Sequence, residues 1–170
     1  MEITKQLIFI GGAPGVGKSE VALELLGLLN NCVWLDADDI WKMNPFVVNS
    51  QTTKMTERNI QYLLKSYFEC GFSYILFTWV LHCDHLVKKL LNGIRDHDFI
   101  FRHFTLICDE NTLKERITKD IGRTTDLTLA MKRRKQALKV KSEKVNTIDM
   151  TSNHIANILK EKLDSDNSSS

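Results

Sequence analysis

Leu7-Ile8-Phe9-Ile10-Gly11-Gly12-Ala13-Pro14-Gly15-Val16-Gly17-Lys18-Ser19 runs an apolar strand directly into the pattern G-x-x-x-x-G-K-S. The pattern is that of a phosphate-binding loop. A glycine-rich turn after such a strand leaves its backbone N–H groups pointing inward. The glycines at 12, 15 and 17 remove side chains that would keep a polyphosphate away from them. The helix expected next adds unpaired N-terminal donors and the positive end of its dipole. Lys18 supplies a mobile charge for the outer phosphates, and Ser19 a hydroxyl for Mg²⁺. Gly12, Ala13, Pro14, Gly15, Val16, Gly17, Lys18 and Ser19 are therefore the expected nucleotide-binding residues, with ATP and Mg²⁺ as the expected cofactors.

Outward from this loop, βα units repeat. Val21, Leu25, Leu28 and Leu29 have helical spacing, and the helix is expected to end near Asn30-Asn31. Cys32 to Leu35 reads as a second strand closing on Asp36, and the βαβ crossover makes it parallel to the first. Ile40 to Ser50 is irregular and partly apolar. A helix is expected from Thr56 to Cys70-Gly71, a third strand over Tyr74–Trp79, and a helix from Asp84. A fourth strand follows over Phe104–Cys108, then a helix capped by Asp109 or Asn111. Gly122 to Asp126 breaks the periodicity and Leu127 to Val140 resumes it as a basic helix, so that a lid is expected over about 119–135. A last strand over Val145–Met150, a closing helix carrying Ile155, Ile158, Leu159 and Leu163, and a disordered tail over 165–170 complete the reading. The alternation predicts an α/β chain of one doubly wound domain, residues 1–164, around a five-stranded, mostly parallel sheet.

Composition narrows the function classes. The 170 residues carry 23 Lys and Arg against 21 Asp and Glu, and the net charge of +2 gives no electrostatic reason to expect nucleic acid or an anionic membrane as partner. The basic residues are uneven: Lys132, Arg133, Arg134, Lys135, Lys139, Lys141 and Lys144 face a single acid, Glu143, as either a solvated helix face or a phosphate-facing lid. Cys32, Cys70, Cys83 and Cys108 form no C-x-x-C pair, which suits a reducing cytoplasm rather than a zinc site or disulfide framework. Neither a signal peptide nor an apolar run long enough for a membrane span is evident. A guanine-reading N-K-x-D is also missing.

Asp36 ends its strand on the sheet edge where α/β folds bind ligands, and Asp38 lies two residues on. One carboxylate suits a metal and the other an acceptor hydroxyl. The alternative is that Asp38 and Asp39, which precede a possible turn, are a pair of helix caps, with Asp39 the more natural cap of the two.

The phosphate loop, this D-x-D, the Arg-x₆-Arg spacing of Arg116 and Arg123, and Ile148-Asp149-Met150-Thr151-Ser152 together resemble the small-molecule kinase branch of P-loop NTPase proteins, which includes shikimate kinase, gluconate kinase and chloramphenicol phosphotransferase. Arg102-His103-Phe104-Thr105-Leu106-Ile107 followed by Thr112-Leu113-Lys114-Glu115-Arg116 is similar to the tunicamycin-resistance ATP-binding proteins of that branch. The resemblance implies Mg²⁺ near Asp36, an acceptor hydroxyl held or deprotonated by Asp38, and Arg123 swinging in from the lid onto the transferring phosphoryl group. It implies that Arg116 borders the nucleotide, the alternative being a surface partner of Asp120. It places Arg58 on the acceptor-binding helix, or else in solvent. Where sugar-acid and shikimate kinases carry a glycine cluster, this chain reads Thr78-Trp79-Val80-Leu81-His82, so that Trp79 and His82 are expected to line a bulkier acceptor pocket. The arginine-rich switch of nucleoside monophosphate kinases is missing. The resemblance thus implies an ATP-dependent phosphotransferase acting on a small-molecule hydroxyl, as a monomer or homodimer. The alternative is an ATPase that sequesters its ligand without phosphotransfer.

Overall fold

The computed structural model describes residues 5–120 and 125–167. Its first strand, β1 (Gln6–Gly12), is buried at every position, and the alternation of its side chains sorts the interior into two layers. Ile8 and Ile10 face one layer, with Val21, Ala22 and Leu25 from the first helix and Ile155, Ala156, Leu159 and Leu163 from the last. Leu7 and Phe9 face the other, with Ile60, Leu64, Phe68, Val87 and Leu90. Each fully buried Leu, Ile or Phe contributes about 1.5–3 kcal/mol relative to exposure, so the central strand is the best-anchored part of the chain.

In chain order the elements are β1, α1 (Lys18–Leu28), β2 (Cys32–Asp36), α2 (Ala37–Ile40), α3 (Ser50–Glu69), β3 (Tyr74–Thr78), α4 (Asp84–Asn92), β4 (Ile100–Ile107), α5 (Glu110–Lys119), α6 (Leu127–Ala137), β5 (Glu143–Asn146) and α7 (Ser152–Asn167). The sheet order is β2-β3-β1-β4-β5. Every pairing is parallel, with Ile8 opposite Leu76 on one side and Arg102 on the other. This is the expected five-stranded α/β architecture, with all loops that follow strands on one edge. No helix of the described residues is long and apolar enough to cross a membrane.

Several boundaries differ from those the periodicity predicts. α3 starts at Ser50 rather than Thr56, because Asn49 caps it: its side chain accepts from the Gln51 and Thr52 amides while Thr52 Oγ1 accepts from the Asn49 amide. β4 starts four residues earlier than expected. Arg102 fits the strand by lying over the Phe104 ring at 5.5 Å, and His103 by burial. β5 ends at Asn146, since Ile148 and Met150 pack on the core from a turn in which Asp149 has φ 55°. α7 continues to Asn167, past the Asp164 where the helical pattern ends, with Ser165 Oγ donating to the Lys162 carbonyl.

Candidate active site

The turn after β1 is forced on the chain by close packing. Gly12 pairs in register with Leu106 on β4 and has φ 143°; a Cβ there would lie 2.7 Å from the Leu106 carbonyl oxygen and 2.8 Å from Val16 Cγ1. No other residue type fits without moving backbone. At the other end of the loop Gly17 is the N-cap of α1 in the left-handed region, and no side chain caps that helix. Its first N–H groups therefore face the loop, as an anion site requires. Lys18 Nζ arches back over the loop, donating to the Gly12 and Ala13 carbonyls at 3.1 and 3.0 Å.

Ser19 Oγ donates to Asp36 Oδ2 at 2.8 Å, joining the start of α1 to the end of β2. The other carboxylate oxygen accepts from the Asp38 amide at 3.0 Å, which makes Asp36 the N-cap of α2. Of the three acids, the cap is thus Asp36 and not Asp39, because the chain turns into helix immediately after the strand; Asp39 instead pairs with Lys42. The donor set fits Mg²⁺, which takes hard oxygens from one or two protein groups and completes its shell with phosphate and water. Ser19 and Asp36 are the residues that would hold it.

A cavity of about 740 Å³ covers this region. Its floor is the loop from Pro14 to Ser19; one end is walled by Arg116, Ile117, Met150, Ser152 and Ile155, and the other by Asp38, Lys42 and Val80. Lys119 and Asp120, at the near root of the expected lid, and Thr125, within its expected span, also line it. Arg123 lies outside the described residues. Arg116 is drawn into the protein rather than left on the helix surface. Its NH1 donates to the Val16 carbonyl at 3.1 Å and to Thr147 Oγ1 at 2.8 Å, and its NH2 to the Thr147 carbonyl at 2.7 Å.

Two expected acceptor residues are not among those lining this cavity. Arg58 is on the exposed face of α3, since the buried face is taken by Thr56, Glu57, Ile60 and Leu64. The Trp79 ring is packed near Phe77 and the α3/α4 layer, 6.4 Å between centroids, and neither residue lines the cavity. His82 is half-buried, and burial, followed by the charges of Arg133 and Lys132, lowers its pKa. The basic helix divides in two. Arg134 ties α6 to the sheet through the Cys108 carbonyl at 2.8 Å and to Glu110 at 3.3 Å, while Lys132, Lys135 and Lys139 are exposed. Lys42 and Thr147 were not singled out in the sequence. Lys42 lies just past α2 and is tied to the site by its ion pair with Asp39, three residues earlier; Thr147 is fully buried and carries no sequence signal beyond preceding the Ile148–Ser152 stretch.

In structure the chain is similar to the tunicamycin resistance protein of Deinococcus radiodurans, with a TM-score of 0.67 at 17% identity over 94% of this chain and 95% of that one. A sugar kinase from Janibacter sp. HTCC2649 gives a TM-score of 0.69 at 12% identity, covering 95% of each chain. A gluconokinase from Sinorhizobium meliloti 1021 gives 0.67 at 13% identity over 96% of this chain and 97% of that one. At such identities the likeness is one of fold. No curated protein matches the chain significantly in sequence. A family model described as an AAA domain matches residues 8–139, from the strand before the phosphate loop through the basic helix. The five-stranded parallel sheet, the loop built on its central strand and this match agree, and the chain belongs to that AAA-domain family of phosphate-loop proteins.

Proposed function

We propose that this chain is an ATP-dependent phosphotransferase that moves the γ-phosphoryl group of ATP onto a hydroxyl of a small molecule. The observation that carries the reading is the single cavity that runs from the β5–α7 turn across the phosphate loop to Asp38 and Lys42. A nucleotide laid along the loop ends its phosphates beside a carboxylate that helix α2 holds at the cavity's far wall. Ser19 and Asp36 would hold Mg²⁺, which when bound neutralises charge on the outer phosphates. Lys18 adds a second positive charge there, and Arg123 is the lid group that would meet the phosphoryl as it transfers. In the reaction the acceptor oxygen bonds to the γ-phosphorus while the bond from that phosphorus to the bridging oxygen of ADP breaks. The acceptor's proton passes to Asp38. The rate would come from positioning and charge neutralisation rather than covalent chemistry.

A thermal-shift screen of sugars, nucleosides and antibiotics, run with a non-hydrolysable ATP analogue, finds the acceptor, and mass spectrometry detects its phosphorylated product. With that acceptor, Asp38→Asn should leave Mg²⁺·ATP affinity nearly unchanged and slow transfer by roughly a hundredfold or more, the usual scale for a positioned general base. Transfer at the native rate in Asp38→Asn would remove the base from the mechanism. ATP consumed without phosphorylated product, in the presence of a ligand that binds, would replace the kinase reading by a ligand-sequestering ATPase.

A further inference from the structure

The phosphate loop works only if its amides point inward, and the peptide that leads into α1 has no side chain to hold it at its glycine end. Gly17 has φ 103°, and a Cβ placed on it would meet nothing closer than Glu20 Oε2 at 3.9 Å. On the Val16 side the peptide is anchored by a buried side chain and by the Val16 amide, which donates to the Ala13 carbonyl at 3.3 Å; on the Gly17 side no side chain restrains it, and glycine leaves rotation there cheap. A further restraint comes from outside the loop. Arg116, one hundred residues further along the chain, donates from NH1 to the Val16 carbonyl at 3.1 Å. In a planar trans peptide the carbonyl and the N–H point in opposite directions, so a cation that holds the Val16 oxygen on the α5 side turns the Gly17 N–H away from that side. The hydrogen bond is charge-assisted, and the charge also polarises the peptide toward a stronger donor.

The other end of the guanidinium is equally well fixed. Thr147 is fully buried and takes two of its hydrogen bonds, at 2.8 and 2.7 Å. Thr147 is itself tied to β4, its amide donating to the Ile107 carbonyl at 2.9 Å and its hydroxyl to the same oxygen at 3.2 Å. The turn that follows carries Met150 and Ser152 into the cavity wall. One planar group thus joins the phosphate loop to the wall opposite it.

We propose that Arg116 is a positioning residue of the phosphate loop, which orients the Gly17 amide for phosphate through the Val16 carbonyl instead of contacting the nucleotide. The inference rests on the nucleotide-binding part of the function proposed above. It separates from a base-contacting or purely structural Arg116 by a ligand that has phosphates and no base.

The test is calorimetric titration of Mg²⁺·tripolyphosphate and of Mg²⁺·ATP into the native protein, Arg116→Met and Arg116→Lys, with the assigned Gly17 amide resonance followed by NMR. Methionine keeps the length and bulk of the side chain, which guards the fold, and far-UV circular dichroism checks it. Loss of one charge-assisted hydrogen bond should weaken both ligands by the same factor, about tenfold to a hundredfold. Lysine should not restore them, since one ammonium does not span both anchors as the fork does. The downfield shift of the Gly17 amide on adding tripolyphosphate should shrink in both variants. If ATP weakens while tripolyphosphate does not, Arg116 serves the base or ribose and the proposal fails. If neither ligand weakens, or lysine restores both in full, it fails as well. A native protein that binds neither ligand overturns the phosphate-loop reading itself, a failure distinct from native binding that the variants retain.

Discussion

His103 should make this protein lose stability in mild acid before its carboxylates titrate. The side chain lies on β4 with 9% of its surface exposed, between Phe9 and Phe101, whose rings are 6.2 and 6.1 Å away. Neither ring nitrogen has a hydrogen-bond partner, although the Lys141 backbone is near enough to favour the proton weakly. Burial, reinforced by Lys144 and only partly opposed by Asp84, pushes the imidazole down from 6.5 to about 4. Above pH 6.5 the ring is neutral in both the folded and unfolded chain and costs nothing in pH dependence. Between pH 6.5 and about 4 only the unfolded chain takes the proton, so stability falls as the pH falls. Each unit is worth about 1.4 kcal/mol, and the loss approaches 3 kcal/mol by pH 4. His103→Leu removes this contribution with little change of volume. Relief of two unpaired buried nitrogens, about 1–3 kcal/mol, outweighs the lost aromatic edge contacts of about 0.5–1.5 kcal/mol, so the variant should be the more stable at pH 7 as well. Urea denaturation of both proteins at pH 7, 6, 5 and 4.5 measures the gap, and His82 and the carboxylates, common to both, cancel in it. Native and variant curves that stay parallel from pH 7 to 4.5 would refute the argument.

Lys18→Ala should weaken Mg²⁺·ATP binding by a hundredfold or so while leaving the thermal midpoint of the free protein nearly unchanged, since the lysine donates to loop carbonyls and the core lies elsewhere. Unchanged ATP affinity in calorimetry would remove the phosphate-loop assignment. Arg123→Ala should lower turnover far more than ATP affinity, because in the role proposed for it Arg123 acts mainly as charge redistributes in transfer. Equal losses of both in steady-state kinetics and titration would make it a ground-state ligand.

The centre of the fold was legible because β1 and the loop obey two strong local rules at once: an unbroken apolar run, and glycines where backbone must approach backbone. The periphery was less so. β4 hides its first half because Arg102 and His103 interrupt the apolar pattern; the sheet tolerates them through a ring and a buried pocket that only tertiary structure supplies. The start of α3 is written in polar capping residues, which look like loop until Asn49 is seen to serve the amides behind it. At the site, Ser19 and Asp36 were found by motif and position, and they meet at 2.8 Å. The route by which Arg116 reaches Val16 was not legible, because a contact across one hundred residues leaves no spacing to read. The same holds for Trp79, whose place after β3 does not reveal which side of the sheet its ring takes.

The packing of α1 on α7 orders events during synthesis. Val21, Ala22 and Leu25, in the helix that presents the loop to phosphate, are buried by Ile155, Ala156, Leu159 and Leu163, the last apolar residues of the final helix. A ribosome delivers the first group some 130 residues before the second. Until α7 has left the exit tunnel, α1 lacks the helix that covers one side of it. On the proposed function, nucleotide should therefore not assist folding of the nascent chain before α7 emerges, and the apolar face of α1 is what a chaperone would meet first.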